Sequence, residues 1–132
     1  MLLIIMLTLL LVFVQAGILA QFRINLVGFT TLLGPRDDLP ESRSPQLGRA
    51  KRALDNLHET LPIALTLMLL SVILGELGTL SLAGAIIYLI ARVLYVPCYI
   101  LALSPWRSAC FGISVLGLVL LALPILPHLW QI

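Results

Sequence analysis

Charge is scarce in this chain. Only 11% of its 132 residues are Asp, Glu, Lys or Arg, against roughly 25% in soluble globular domains. Apolar side chains make up 61% of the chain and the mean hydropathy is +1.12. A soluble fold is excluded, and the composition reads as an integral membrane protein. With about 20 residues consumed by each span, the length allows one all-α domain, a four-helix bundle, and leaves no room for a soluble domain.

Other shortages narrow the reading further. The net charge of +2 is too small for nucleic-acid binding, and the basic residues gather near the expected membrane boundaries instead of covering a surface. Cysteine is limited to Cys98 and Cys110. Neither belongs to a CxxC or Cys/His pattern, so no metal site is expected, and both read as ordinary buried thiols. The N-terminus lacks a basic n-region, and its apolar run passes Ala16-Gly17 and continues to Leu33. An uncleaved first span is expected, not a signal peptide.

Hydropathy and turn signals predict helices over residues 2–33, 49–75, 79–103 and 106–129. The first, at about 48 Å, exceeds a ~30 Å hydrocarbon core and must tilt or protrude. Residues 34–48 form a polar loop rich in Pro and Ser, and with Arg36, Arg43, Arg49, Lys51 and Arg52 in or beside it, the positive-inside rule makes it cytoplasmic. Arg107 falls in the third connection, on the same side. Both termini are then expected on the opposite side of an inner membrane or endomembrane. Ser104 and Pro105 read as N-cap and first residue of the last helix. Pro124 and Pro127 weaken its end, where His128 and Trp130 look interfacial.

What the chain does have is one concentrated polar stretch, Arg49 to Pro62, running directly into an apolar segment of about 14 residues that is too short to span alone. Glu59 lies about 24 Å from the Gly75 turn along its helix and Arg92 about 21 Å from Gly78 along the next, so the two share a depth, and one reading is that they simply neutralise each other. Asn56 and Arg52 lie one and two turns further, toward the boundary reached by Arg23 and Arg107. Arg49, Arg52, Asn56 and Glu59 follow at intervals of three, four and three, which places them on one helical face. Arg92, Tyr95 and Tyr99 repeat the spacing. Charged groups facing lipid cost several kcal/mol, so these faces are expected to point into the bundle or an oligomer interface. The arginines outnumber Glu59, leaving positive charge for an anionic ligand.

The pattern Arg52-x-x-x-Asn56-x-x-Glu59 followed by Pro62, then Arg92-x-x-Tyr95-x-x-x-Tyr99 and Arg107-Ser108, resembles the MAPEG family, the membrane-associated proteins of eicosanoid and glutathione metabolism. The resemblance implies a homotrimer of four-helix subunits with glutathione as co-substrate, held between neighbouring subunits. It further implies that Arg52, Asn56 and Glu59 bind the tripeptide, that Arg92, Tyr95 and Tyr99 complete the pocket, that Arg23 adds a carboxylate contact, and that Arg107 is the catalytic residue stabilising the thiolate.

The charge chemistry agrees with that resemblance. Glutathione carries two carboxylates and one ammonium, matching surplus arginines and a glutamate. A guanidinium beside its thiol favours the thiolate in a poorly hydrated pocket. The leading expectation is a glutathione-dependent membrane transferase or peroxidase acting on apolar electrophiles or lipid drawn from the surrounding membrane lipids. The alternatives are a catalytically silent family member with a structural role and a small four-helix transporter. Gly112, Ser114 and Gly117 permit close helix contact without specifying a partner.

Overall fold

The computed structural model describes residues 1–35 and 44–131; Arg36, Arg43 and the rest of the polar stretch 36–43 lie outside the described residues. Among the described residues the fold is all helical, with four helices long and apolar enough to cross a membrane. They are α1 (Leu2–Val27), α3 (Pro45–Ile73), α4 (Thr79–Ile100) and α5 (Ser104–Ala122). A five-residue α2 (Phe29–Leu33) follows α1, and a 3-10 turn (Leu126–Trp130) closes the chain.

Glycine and proline decide where the helices depart from the sequence-based boundaries. The single helix expected over 2–33 is broken at Gly28, whose φ of +84° lies in the left-handed region that side chains avoid. The Gly28 amide donates to the Ile24 carbonyl at 2.9 Å and ends α1 there, at 26 residues or about 39 Å. In the opposite direction, α3 starts four residues before the expected 49. Ser44 caps it by accepting from the Leu47 amide, and Pro45 occupies the first turn, where its missing N–H costs nothing. The 29 residues of α3 reach about 44 Å. Its charged first turns can therefore stand outside the hydrocarbon while Pro62 to Ile73 remains within it.

α4 ends at Ile100, not 103, and α5 begins at Ser104. The intervening turn is a Schellman closure: Leu103 N–H donates to the Cys98 carbonyl at 2.9 Å and Ala102 N–H to that of Tyr99 at 3.1 Å. Ala102 holds the position where glycine is usual, at φ +57°. Leu103, not Ser104, is the N-cap of α5, and its carbonyl accepts from the Arg107 amide. α5 stops at Ala122, well short of 129. Pro124 and Pro127 leave only the 3-10 turn, pinned by His128 Nε2 at 2.9 Å from Glu76 Oε1 in the α3–α4 connection.

The bundle is layered along its length by three apolar clusters. Ile4 and Ile5 meet Ala64, Met68, Ala85, Tyr88, Leu118 and Leu121; Leu11 meets Leu57 and Val96; Leu19 meets Leu47, Ala50 and Leu54. Numbers rise along α1 and α4 as they fall along α3, so α1 and α4 run parallel with α3 against them. The outward faces are apolar as well, with Leu3, Phe13 and Ile73 at 71, 76 and 76% exposure. Water would penalise that surface and lipid accommodates it.

With lipid as solvent, helix association depends on close packing, and α4 and α5 achieve it backbone to backbone. A Cβ placed on Gly84 would stand 2.7 Å from the Gly117 carbonyl, and one on Gly117 would stand 2.7 Å from the Gly84 carbonyl. Gly117 thus serves the contact between α4 and α5 within the chain. Gly112 faces open space. This contact fixes Tyr88, one turn after Gly84, and through it the polar centre of the bundle.

Candidate functional site

Arg92 is the largest fully buried side chain, 1% exposed, in the middle of an apolar helix. Its cost is offset by acceptors at both terminal nitrogens and by surrounding rings, while its buried Nε has no hydrogen-bond partner among the described residues. One terminal nitrogen donates to Asn56 Oδ1 at 2.7 Å and the other to Thr60 Oγ1 at 2.8 Å. The guanidinium also lies 5.4 to 5.7 Å from the ring centres of Tyr88, Tyr95 and Phe111, within cation–π range. Thr60 Oγ1 is 3.0 Å from the Tyr88 hydroxyl and 3.3 Å from the Leu57 carbonyl. With its one proton given to Leu57, Thr60 accepts from both Arg92 and Tyr88.

The Arg92 partners come from both flanks of Glu59, so the depth reading places that turn of α3 correctly. The alternative of a direct Glu59–Arg92 ion pair is not what the described residues show. Asn56 and Thr60, four residues apart, share the face of α3 toward α4, whereas Glu59 is rotated outward and exposed. Its Oε2 accepts from Asn56 Nδ2 at 3.4 Å. Its hydrogen-bond link to Arg92 therefore runs through the Asn56 amide.

A second layer lies one turn toward the α4–α5 connection. Arg52 donates through Nε to the Tyr99 hydroxyl at 3.2 Å, while Arg107 lies over the same ring, 4.9 Å from its centre. Tyr99 packs on Tyr95 at 5.4 Å between ring centres. Arg49 donates to the Ile100 carbonyl at 3.3 Å, tying the start of α3 to the end of α4. Between the two layers opens a cavity of about 190 Å³ lined by Asn56, Tyr95, Arg107, Ser108 and Phe111.

Arg52, Asn56, Glu59, Arg92, Tyr95, Tyr99 and Arg107 are thus joined in one unbroken set of contacts drawn from α3, α4 and α5. Arg23 stands apart from the cavity lining. It is half-buried on α1, one turn beyond Leu19, on the side that packs against the first turns of α3. Thr60, Tyr88 and Phe111 are the members that sequence reasoning missed. Each lies four residues from a residue it did single out, namely Asn56, Arg92 and Arg107. Helical extension of those stripes is the signal that finds them.

The model of the MAPEG family matches residues 1–126 of the 132-residue chain. The chain belongs to the MAPEG family. No curated protein sequence matches it. Membership, together with the four spanning helices, makes this MAPEG chain a membrane protein related to glutathione and eicosanoid metabolism. Buried Arg92 and the polar residues joined to it lie wholly within the matched region.

Proposed function

We propose that this MAPEG protein binds glutathione at the Arg52–Arg107 end of the bundle and activates its thiol for reaction with apolar electrophiles or peroxides. The observation that carries the reading is the imbalance of charge in the contact network: Arg52, Arg92 and Arg107 against the single carboxylate of Glu59. Arg92 is already enclosed by Asn56, Thr60 and three rings. Arg52 has only its Nε committed to Tyr99, and Arg107 meets a ring face, so both retain terminal N–H groups for carboxylates. Glu59, exposed and held by one long hydrogen bond, is the natural partner for an ammonium.

Arg107 carries the catalytic role in this reading. Its guanidinium faces the cavity, and a thiol brought there loses its proton more readily because the adjacent cation stabilises the sulfur anion. The thiolate sulfur then attacks the electrophilic carbon, expelling a leaving group or adding to a double bond that takes up a proton. Alternatively it attacks the terminal oxygen of a hydroperoxide, breaking the O–O bond and releasing the alcohol, and a second glutathione converts the resulting sulfenic acid to glutathione disulfide and water. The apolar partner would come from the surrounding bilayer; a separate apolar cleft of about 270 Å³ between α1 and α4 is lined by Leu7, Leu10, Leu11, Val14, Leu89 and Val93.

A homotrimer completes the proposal. The single-chain cavity of about 190 Å³ falls below the roughly 300 Å³ at which small-molecule sites begin, and Glu59 and Arg52 face away from the bundle core. A neighbouring subunit would supply the missing wall. The test is ultraviolet difference spectroscopy on the purified protein. Glutathione is expected to produce a thiolate band that Arg107→Ala abolishes. No band with the wild type would overturn the assignment.

A further inference from the structure

Cys98 and Cys110 carry no motif in the sequence, yet the fold brings them together. On α4 the stripe Gly84, Tyr88, Ala91, Tyr95, Cys98 repeats at intervals of four, three, four and three, and its earlier members form the α5-facing side of the helix. On α5 the stripe Cys110, Ser114, Gly117, Leu121 repeats at four, three and four, with its last three members buried. These stripes face each other at the Gly84–Gly117 contact. The Schellman turn that joins the helices uses the Cys98 carbonyl as its acceptor. Between the glycine contact at one end and that turn at the other the helices cannot diverge, and both sulfurs fall in that interval. The two side chains lie close enough to interact directly. Both are free and half-buried.

We infer that Cys98 and Cys110 form a redox-active dithiol, a modification site that organic hydroperoxides convert to an intrachain disulfide. The terminal oxygen of the hydroperoxide passes to one sulfur, giving a sulfenic acid and releasing the alcohol. The second thiol then attacks that sulfur, the S–S bond forms, and water leaves with the oxygen. The dithiol loses two electrons and two protons; the hydroperoxide becomes alcohol and water.

The position suits that oxidant. Cys98 is in the last turn of α4, and Cys110 lies six residues into α5, about 9 Å from its start. That is the depth near the membrane boundary where an acyl hydroperoxide, with its polar group drawn toward water, presents its O–O bond. The site is also coupled to the cavity. Cys98 precedes Tyr99, and Cys110 precedes Phe111, which lines the cavity with Tyr95. A disulfide closing residues 98–110 locks the Ala102 turn and holds these rings in place.

The test uses the full chain in detergent micelles, treated with cumene hydroperoxide and analysed by mass spectrometry after alkylation. The wild type is expected to lose two hydrogens, to fall from two alkylatable thiols to none, and to yield a cross-linked pair of peptides containing Cys98 and Cys110 from a monomeric gel band. Each serine variant, Cys98→Ser or Cys110→Ser, is expected to retain a sulfenic acid that dimedone captures, because its resolving thiol is gone. Dimedone adducts in the wild type, disulfide-linked dimers, or two thiols still open to alkylation would overturn the proposal. Glutathione takes no part in the assay, so its outcome is independent of the glutathione reading.

Discussion

Arg92 Nη1 and Asn56 Oδ1 meet at 2.7 Å between α4 and α3, the shortest side-chain contact that Arg92 makes and the one that joins its buried charge to the polar face of α3. Everything at the inner end of the bundle depends on that charge staying paired. A cation buried at 1% exposure depends on the acceptors at its two terminal nitrogens, since its Nε has none among the described residues.

Asn56→Leu removes one acceptor and leaves the guanidinium in place. The expected cost is about 2–3 kcal/mol, the range for losing a hydrogen bond to a buried charged group. Thermal unfolding in detergent checks it, and an unchanged Tm would mean that Arg92 is held by its rings and Thr60 alone.

The reciprocal glycine contact gives a sharper structural test. Gly117→Ala places a methyl group 2.7 Å from the Gly84 carbonyl and 2.8 Å from the Tyr88 amide. α4 and α5 must separate, with an expected loss of about 1–3 kcal/mol from overpacking. Gly112→Ala meets nothing within 4 Å and lies inside α5, so it is expected to leave stability unchanged or raise it by up to about 1 kcal/mol.

Ala102 should respond in the opposite direction. At φ +57° it occupies the left-handed region, which costs a residue with a Cβ about 1–2 kcal/mol. Ala102→Gly removes that strain but adds freedom to the unfolded chain, an offset of about 0.4–1 kcal/mol. A net gain of about 0.5–1 kcal/mol is expected by the same unfolding measurement, whereas Ala102→Val is expected to destabilise.

Tyr99→Phe separates two roles at the outer layer. The substitution deletes the acceptor for Arg52 Nε but keeps the ring under Arg107. Glutathione affinity is expected to fall about 3- to 10-fold, equivalent to one hydrogen bond of about 1 kcal/mol. Tyr99→Leu, which also removes the ring, is expected to fall further, and equal affinities for the two variants would show that the ring has no part.

Much of this arrangement is legible in the sequence because charge is conspicuous in an apolar chain. The three- and four-residue intervals linking Arg52, Asn56 and Glu59, and Arg92, Tyr95 and Tyr99, identify faces that the fold does bring together. Thr60 and Tyr88 escape notice because a hydroxyl in an apolar run carries no signal until the buried cation that needs it has been placed. Gly28 looks like any glycine of a membrane span, and only its left-handed φ reveals the break. Pro45 reads as loop until Ser44 is seen capping the turn it begins. The Cys98–Cys110 pairing depends on the register of the α4–α5 hairpin, which follows from a turn of three residues, Leu101 to Leu103, between the helix ends. Hydropathy alone does not resolve a boundary so finely.

The central claim is that the surplus arginines bind the carboxylates of glutathione, and titration calorimetry on the detergent-purified protein tests it most directly. Saturable binding is expected with millimolar glutathione and none with its diester, in which both carboxylates are neutral. No heat from glutathione, or equal binding of the diester, would contradict the claim.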